Sequence, residues 1–195
     1  EGQNRFFAFF TMTYGVVLGI SFAANLFTMY LFYEMLTLCT LPLVMHHMDR
    51  IAKYAGLKYL LYSMGGAAMA FISMIILANH GTLAFSAGGS LFPSDVTAYR
   101  PLLLVGFLLG FFGFGVKAAI FPLHDWLPTA GVAPTPVTAL LHAVAVVNAG
   151  VFAVLRLLYY GYGASFIAGT VAQNVMLAVT AFTIVFASTM ALRLQ

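Results

Sequence analysis

Apolar runs long enough to cross a bilayer follow one another along nearly the whole chain, and that succession limits what it can fold into. Crossing about 30 Å of hydrocarbon takes roughly 20 apolar residues. About six such runs fit within the 195 residues, at about 5–21, 25–45, 54–79, 101–121, 136–160 and 166–192. In lipid every backbone polar group must be satisfied internally, which leaves helices or a closed barrel. Barrels alternate at period two in segments of about ten residues, and no such alternation runs through this sequence. The expected fold is therefore all-α, a single polytopic transmembrane helix bundle. Composition agrees: 63% of residues are hydrophobic and 7% charged, with a mean hydropathy of +1.00, whereas globular chains carry about 25% charged residues.

The net charge of +3 comes from too few ionic groups to suggest nucleic acid. Its distribution gives an orientation instead. With the 45–56 link on the inner side, that side collects Arg5, Arg50, Lys53, Lys58 and Arg193, against Arg100 and Arg156 outside, as the positive-inside rule requires. The lone Cys39 excludes an internal disulfide. Glu1 stands where a Met would, and Arg5 leads into an apolar run with no small-residue cleavage site, the pattern of an internal segment of a longer chain. In the first run Gly15 and Gly19 have the small-xxx-small spacing of close helix packing.

The stretch 115–148 carries the chemistry. A charge at mid-bilayer costs roughly 2.5–3.5 kcal/mol on insertion scales, so Lys117, late in the run 101–121, needs a partner or a wet path. Pro122 lacks an N–H and deprives the Ala118 carbonyl of its usual donor, so the helix is expected to break there. Non-helical backbone at membrane depth survives only where it is buried or lines a wet cavity. Two further protonatable groups lie within apolar runs, Glu34 in the second and His142 in the fifth. Burial disfavours the charged form of a lysine and a nearby carboxylate favours it, so moving Glu34 relative to Lys117 would change its proton affinity. His142 could receive what Lys117 releases. The plainer alternatives are a static Glu34–Lys117 ion pair and a core histidine bonded to a neighbouring hydroxyl. Lys58, His124 and Asn148 are secondary candidates for proton transfer; Lys58 would alternatively snorkel to the interface.

Other chemistries find little support. No serine has the elbow of a hydrolytic triad. Gly106, Gly110, Gly113 and Gly115 sit in an apolar span without a preceding strand, unlike a phosphate loop. A bis-His haem would need two facing intramembrane histidines, and the adjacent His46 and His47 make a poor chelating pair. No metal or cofactor is expected, and no redox or hydrolytic site.

At this point the motif KAAIFPLHDWLPTAGVAPTPVTALLHAVAVVNAGVFAVLR (117–156) resembles the signature of the antiporter-like proton-translocating subunits shared by respiratory complex I, multisubunit cation/proton antiporters and membrane-bound hydrogenases. The resemblance extends to LFYEMLTL around Glu34 and AGLKYLLYS around Lys58. It implies two inverted five-helix repeats, with residues 1–160 forming the first half-channel and 161–195 beginning the second. It also implies that Glu34 faces a neighbouring subunit, that Lys117 is the lysine of the broken helix, and that Lys58 matches a lysine found in some members. Asn148 departs from the pattern, standing where many members carry lysine; an amide takes up no proton at physiological pH, which leaves His142 and water to continue the relay. The implied function is proton translocation within a redox-driven complex of a bacterial, archaeal or organellar inner membrane. The implied partners are other membrane subunits, homologous antiporter-like ones among them, together with protons and lipid. The alternatives are a sodium/proton antiporter subunit, a structural membrane subunit with static ion pairs, and quinone chemistry at an interface with another subunit.

Overall fold

The computed structural model describes residues 3–193; Glu1, on which the reading of an internal start rests, lies outside them. The molecule is a helix bundle in which the described residues form isolated β-bridges but no strand. Five helices are long and apolar enough to span a membrane: α1 (Gln3–Phe22), α2 (Leu26–Val44), α3 (Arg50–His80), the composite helix Thr135–Tyr162, and α10 (Val171–Arg193). A shorter apolar helix, α5 (Arg100–Gly115), stands where the crossing at 101–121 was expected. The small elements are α4 (Pro93–Ala98), α6 (Trp126–Ala130), α7 (Thr135–Ala139), which opens the composite helix, and α9 (Ala164–Ile167).

Local chemistry sets the ends. Asn25 caps α2 by accepting from the Thr28 amide at 2.7 Å, and Asp49 caps α3 through the Ala52 amide at 2.6 Å, each meeting an N–H that the helix leaves unpaired. Pro101 sits in the first turn of α5, where its missing donor costs nothing. The sixth run begins at Val171 and not near Phe166, where Thr170 caps it: the Gln173 amide donates to Thr170 Oγ1, and Gln173 Oε1 reaches back to accept from the Gly169 amide, one residue before the cap.

The helices alternate in direction along the bundle. At one end the loop after α3 ties the α1–α2 junction to the fifth crossing: the Leu26 amide donates to Leu83 O, Phe85 to Ala24 O and Ser90 to Gly161 O. There His80 Nδ1 lies 2.8 Å from Asp95 Oδ2, a bond that holds the Asp95 carboxyl below its usual range. At the opposite end Phe6 packs edge-on against His46, and Lys58 pairs with Asp125.

The closest crossing is α3 on α5. A Cβ on Gly113 would meet the Ala70 amide at 2.5 Å and Gly66 O at 2.7 Å, and one on Gly110 would meet Ser73 Oγ at 2.5 Å. The α5 glycines are thus a seam for backbone approach, the small-residue packing of membrane helices. The α1 glycines behave differently. A Cβ on Gly15 would meet open space, and one on Gly19 would meet only the Phe32 ring, so α1 and α2 meet through side chains.

The expected break is present, but its position and cause differ from expectation. The regular helix ends at Gly115, ahead of both Lys117 and Pro122. Two bonds close it: the Ile120 amide to Gly115 O at 3.2 Å and the Ala119 amide to Val116 O at 3.0 Å, with Ala119 at φ 55°. This is the paired bonding of a Schellman cap, with Ala119 in the left-handed position that glycine usually fills. Pro122, after a cis bond from Phe121, lies beyond the stop and does not cause it. Left-handed backbone costs a non-glycine residue roughly 1–2 kcal/mol, part of which returns through the lower chain entropy of alanine. Ala119→Gly is therefore expected to stabilise the fold by about 0.5–1 kcal/mol, seen as a higher midpoint of thermal unfolding in detergent; an unchanged or lower midpoint would show the turn to be unstrained.

Candidate functional site: a lysine at a helix break

The 16 residues of α5 rise about 24 Å, short of the roughly 30 Å hydrocarbon layer, so the break lies within the membrane. Several of the carbonyls it would orphan are engaged, Gly115 O by the Ile120 amide among them. Phe114 O accepts from the Tyr33 hydroxyl at 2.7 Å, and Val116 O from Trp126 Nε1 at 2.8 Å as well as from the Ala119 amide. Past the break, the Phe121 amide donates to Thr183 Oγ1 of α10 at 2.9 Å, and Phe121 packs on Phe182 and Phe186.

Lys117 lies in this interruption and is 1% exposed. Its ammonium donates to the Tyr33 carbonyl, stands 3.5 Å from the centroid of the Tyr33 ring and reaches within 3.9 Å of Glu34 Oε1. Tyr33 thus holds the break through its hydroxyl and the amine through its carbonyl and ring face, a cation–π contact strengthened by desolvation. Sequence reasoning passed over Tyr33; its position next to Glu34 on α2 was the available signal.

Glu34 is 28% exposed at its side chain, and its buried Oε1 makes no hydrogen bond. The carboxylate therefore extends from the amine towards the bundle surface. At 3.9 Å the two charges interact without a direct hydrogen bond.

The other candidates are placed differently. Lys58 does not simply snorkel: its ammonium lies 2.5 Å from Asp125 Oδ2 and 3.0 Å from Thr129 Oγ1, tying α3 to the segment after the break. His124 stacks on Phe121 and meets Phe186 edge-on, with Nδ1 buried and unbonded. His142 is exposed on the bundle surface, its Nδ1 2.9 Å from Thr138 O. It lies in a π-helical turn, Leu140–Val144, which precedes α8 (Val146–Arg156). The helix approaches the break at Gly150, where a Cβ would press on the backbone of Lys117 and Ala118. Eight residues separate Gly150 from His142, about 12 Å along the axis, so the bundle does not bring His142 to Lys117. Asn148 is also exposed; its Nδ2 donates to Ala143 O at 2.7 Å, and it lines a cavity of about 280 Å³ with Ser21 and Phe152.

Fold and site together define a polytopic membrane protein organised around a buried charge pair. The chain belongs to the NADH:quinone oxidoreductase/Mrp antiporter transmembrane family, whose family model matches residues 23–195. It is 34% identical over 159 residues to a Na(+)/H(+) antiporter subunit of Alkalihalophilus pseudofirmus, covering 80% of this chain and 20% of that protein. It is 33% identical over 158 residues to NADH-quinone oxidoreductase subunit L of Escherichia coli, covering 80% and 26% respectively. Among solved structures, the membrane-bound sulfane sulfur reductase, an archaeal respiratory membrane complex, contains a chain that superposes with a TM-score of 0.75 at 25% identity, over 95% of this chain and 37% of that one. The chain thus spans about a fifth to a quarter of the length of these curated relatives.

Proposed function

We propose that the chain supplies a proton half-channel of an antiporter-like subunit in a multisubunit, redox-driven membrane complex, with Lys117 as the exchanging group. Residues 1–160 form the half-channel and 161–195 begin a second, inverted unit. The observation that carries this reading is a fully buried amine at interrupted backbone, 3.9 Å from a carboxylate that reaches the bundle surface. Glu34 responds to a neighbouring subunit: drawn towards Lys117 it favours the ammonium, and drawn outwards it favours proton release. His142, on the exposed face, takes the proton onward through water; a direct hop from Lys117 is too long.

Glu34→Gln keeps the shape of the side chain and removes its charge. In the intact complex reconstituted in vesicles, proton transport should slow by about tenfold, because a change of one pK unit is a factor of ten in proton affinity. The yield of assembled complex should stay near wild type. Transport at the wild-type rate would remove Glu34 from the mechanism. The same assay decides the second reading, favoured by the similarity to a Na(+)/H(+) antiporter subunit: transport that requires sodium identifies an antiporter, and transport that depends on electron donors without sodium identifies the redox-driven complex.

A further inference from the structure

Below the charge pair, towards the Lys58–Asp125 end of the bundle, α2 and α3 enclose a row of buried hydroxyls that neither Lys117 nor Glu34 contacts directly. The two helices run antiparallel, with the Tyr30 hydroxyl donating to Ala67 O at one level and Thr40 Oγ1 2.8 Å from the Tyr59 hydroxyl at another. Thr37 and Ser63 lie between these levels, 3% and 2% exposed. Thr40 Oγ1 can also donate to Leu36 O at 2.7 Å or to Thr37 O at 3.3 Å, and when it does Tyr59 is the donor in the Thr40–Tyr59 bond. The Thr37 and Ser63 hydroxyls face the same phenol, yet Thr37 Oγ1 makes no hydrogen bond within the protein. One turn further along α2, buried Glu34 Oε1 is likewise unbonded. A buried hydroxyl and a buried carboxylate oxygen without partners are costly, and side chains three residues apart on a helix lie about 5–6 Å from one another. That spacing suits one water molecule bonded to both, with Tyr59 and Ser63 as further partners.

We propose, resting on the proton half-channel reading, that Thr37, Thr40, Tyr59 and Ser63 line a water-bearing proton path running along the α2–α3 seam to Glu34 and Lys117. Its mouth is at the Lys58–Asp125–Thr129 cluster, next in sequence to Tyr59 and Trp126, whose rings are 5.0 Å apart. The path covers the six residues from Thr40 to Glu34, about 9 Å. The hydroxyls orient water and do not ionise. Water beside Thr37 accepts a proton from the mouth side on one lone pair and releases another towards Glu34 or the neutral amine of Lys117. Each transfer breaks one O–H bond and forms one O–H or N–H bond, leaving the water unchanged. Thr37 is a positioning residue in this scheme.

The test is a series at Thr37 in the intact, vesicle-reconstituted complex. Valine has nearly the shape of threonine but no hydroxyl, alanine leaves room for an extra water, and serine retains the hydroxyl. Proton transport should fall about tenfold for Thr37→Val, on the scale of one lost hydrogen bond. Thr37→Ala should fall less, and Thr37→Ser should stay within about twofold of wild type. A packing role predicts the opposite order, with valine the best tolerated, and that order would overturn the proposal. If Thr37→Val does not assemble, Tyr59→Phe replaces it, removing only the phenolic oxygen; wild-type transport by that variant would equally sink the path. Lys117→Ala run in parallel separates the levels: an inactive Lys117→Ala beside a fully active Thr37→Val rejects this path alone, whereas transport by both rejects the half-channel reading itself.

Discussion

Replacing Lys117 with alanine is expected to abolish proton transport, a loss of at least about 100-fold, the lower range for removing a positioned acid–base group. The amine is the one fully buried cation among the described residues, and it sits where backbone is interrupted inside the membrane. Alanine can neither accept nor release a proton. Assembly should survive, because the break is closed by bonds that do not involve the lysine side chain: the Schellman pair, the Tyr33 hydroxyl on Phe114 O and the indole on Val116 O. Removing one member of a buried ion pair can cost about 3–5 kcal/mol. Here the cost should be smaller, because Glu34 keeps contact with the bundle surface and need not stay buried and unpaired. A second substitution separates proton exchange from simple charge. Lys117→Arg keeps a cation that can still reach the Tyr33 carbonyl, but a guanidinium does not release its proton in this pH range. Transport by Lys117→Arg should therefore be lost as well. If arginine sustained transport while alanine did not, the residue would be a fixed charge and the bundle would conduct by another route.

How far this site could be read from sequence depends on which interactions are local. Five of the six expected apolar crossings and the presence of a break are legible in hydrophobic run lengths and Pro122 and are found. The polar link expected over 45–56 is shortened to 45–49, because Asp49 caps α3 and starts it at Arg50. The position of the break was misjudged because proline is the conspicuous breaker, whereas the structure stops the helix with an alanine at positive φ, a position where sequence reading looks for glycine. The start of α10 was legible in Thr170-x-x-Gln173 but was not used. Lys58 with Asp125 is a different matter: 67 residues separate them, and only the packing of α6 beneath α3 joins them. His142 shows the limit most clearly. In a helix apolar nearly all round, periodicity does not say which face turns inward, and the π-helical turn at Leu140–Val144 shifts the register of α8 beyond it. Tyr33 was hard to single out for a related reason, since beyond its place next to Glu34 its role rests partly on a backbone carbonyl that every residue possesses.

Adding a single methyl group to Gly150 should be nearly as damaging to function as removing the amine, although Gly150 carries no chemistry. In α8 this glycine lies against the interruption itself: a Cβ would stand 2.7 Å from the Lys117 carbonyl carbon and 3.0 Å from Ala118 Cα, with the Ala118 amide nitrogen closer still. All three are backbone atoms, so no rotamer change makes room. Gly150→Ala must either push α8 outwards or shift the turn that holds Lys117. Overpacking of this kind typically costs about 1–3 kcal/mol. Displacing a reacting group by about 1 Å can cost up to about 100-fold in rate, so transport should drop by more than about tenfold with Lys117 and Glu34 still present. Gly65→Ala is the matched control, since the same methyl group there would meet nothing within 4 Å and alanine favours a helix interior over glycine. Transport rate and thermal midpoint, measured on both variants in the reconstituted complex, decide the point. If Gly150→Ala conducted and melted like Gly65→Ala, the break would not be pinned by α8, and the placement of Lys117 would have to rest on Tyr33 and Trp126 alone.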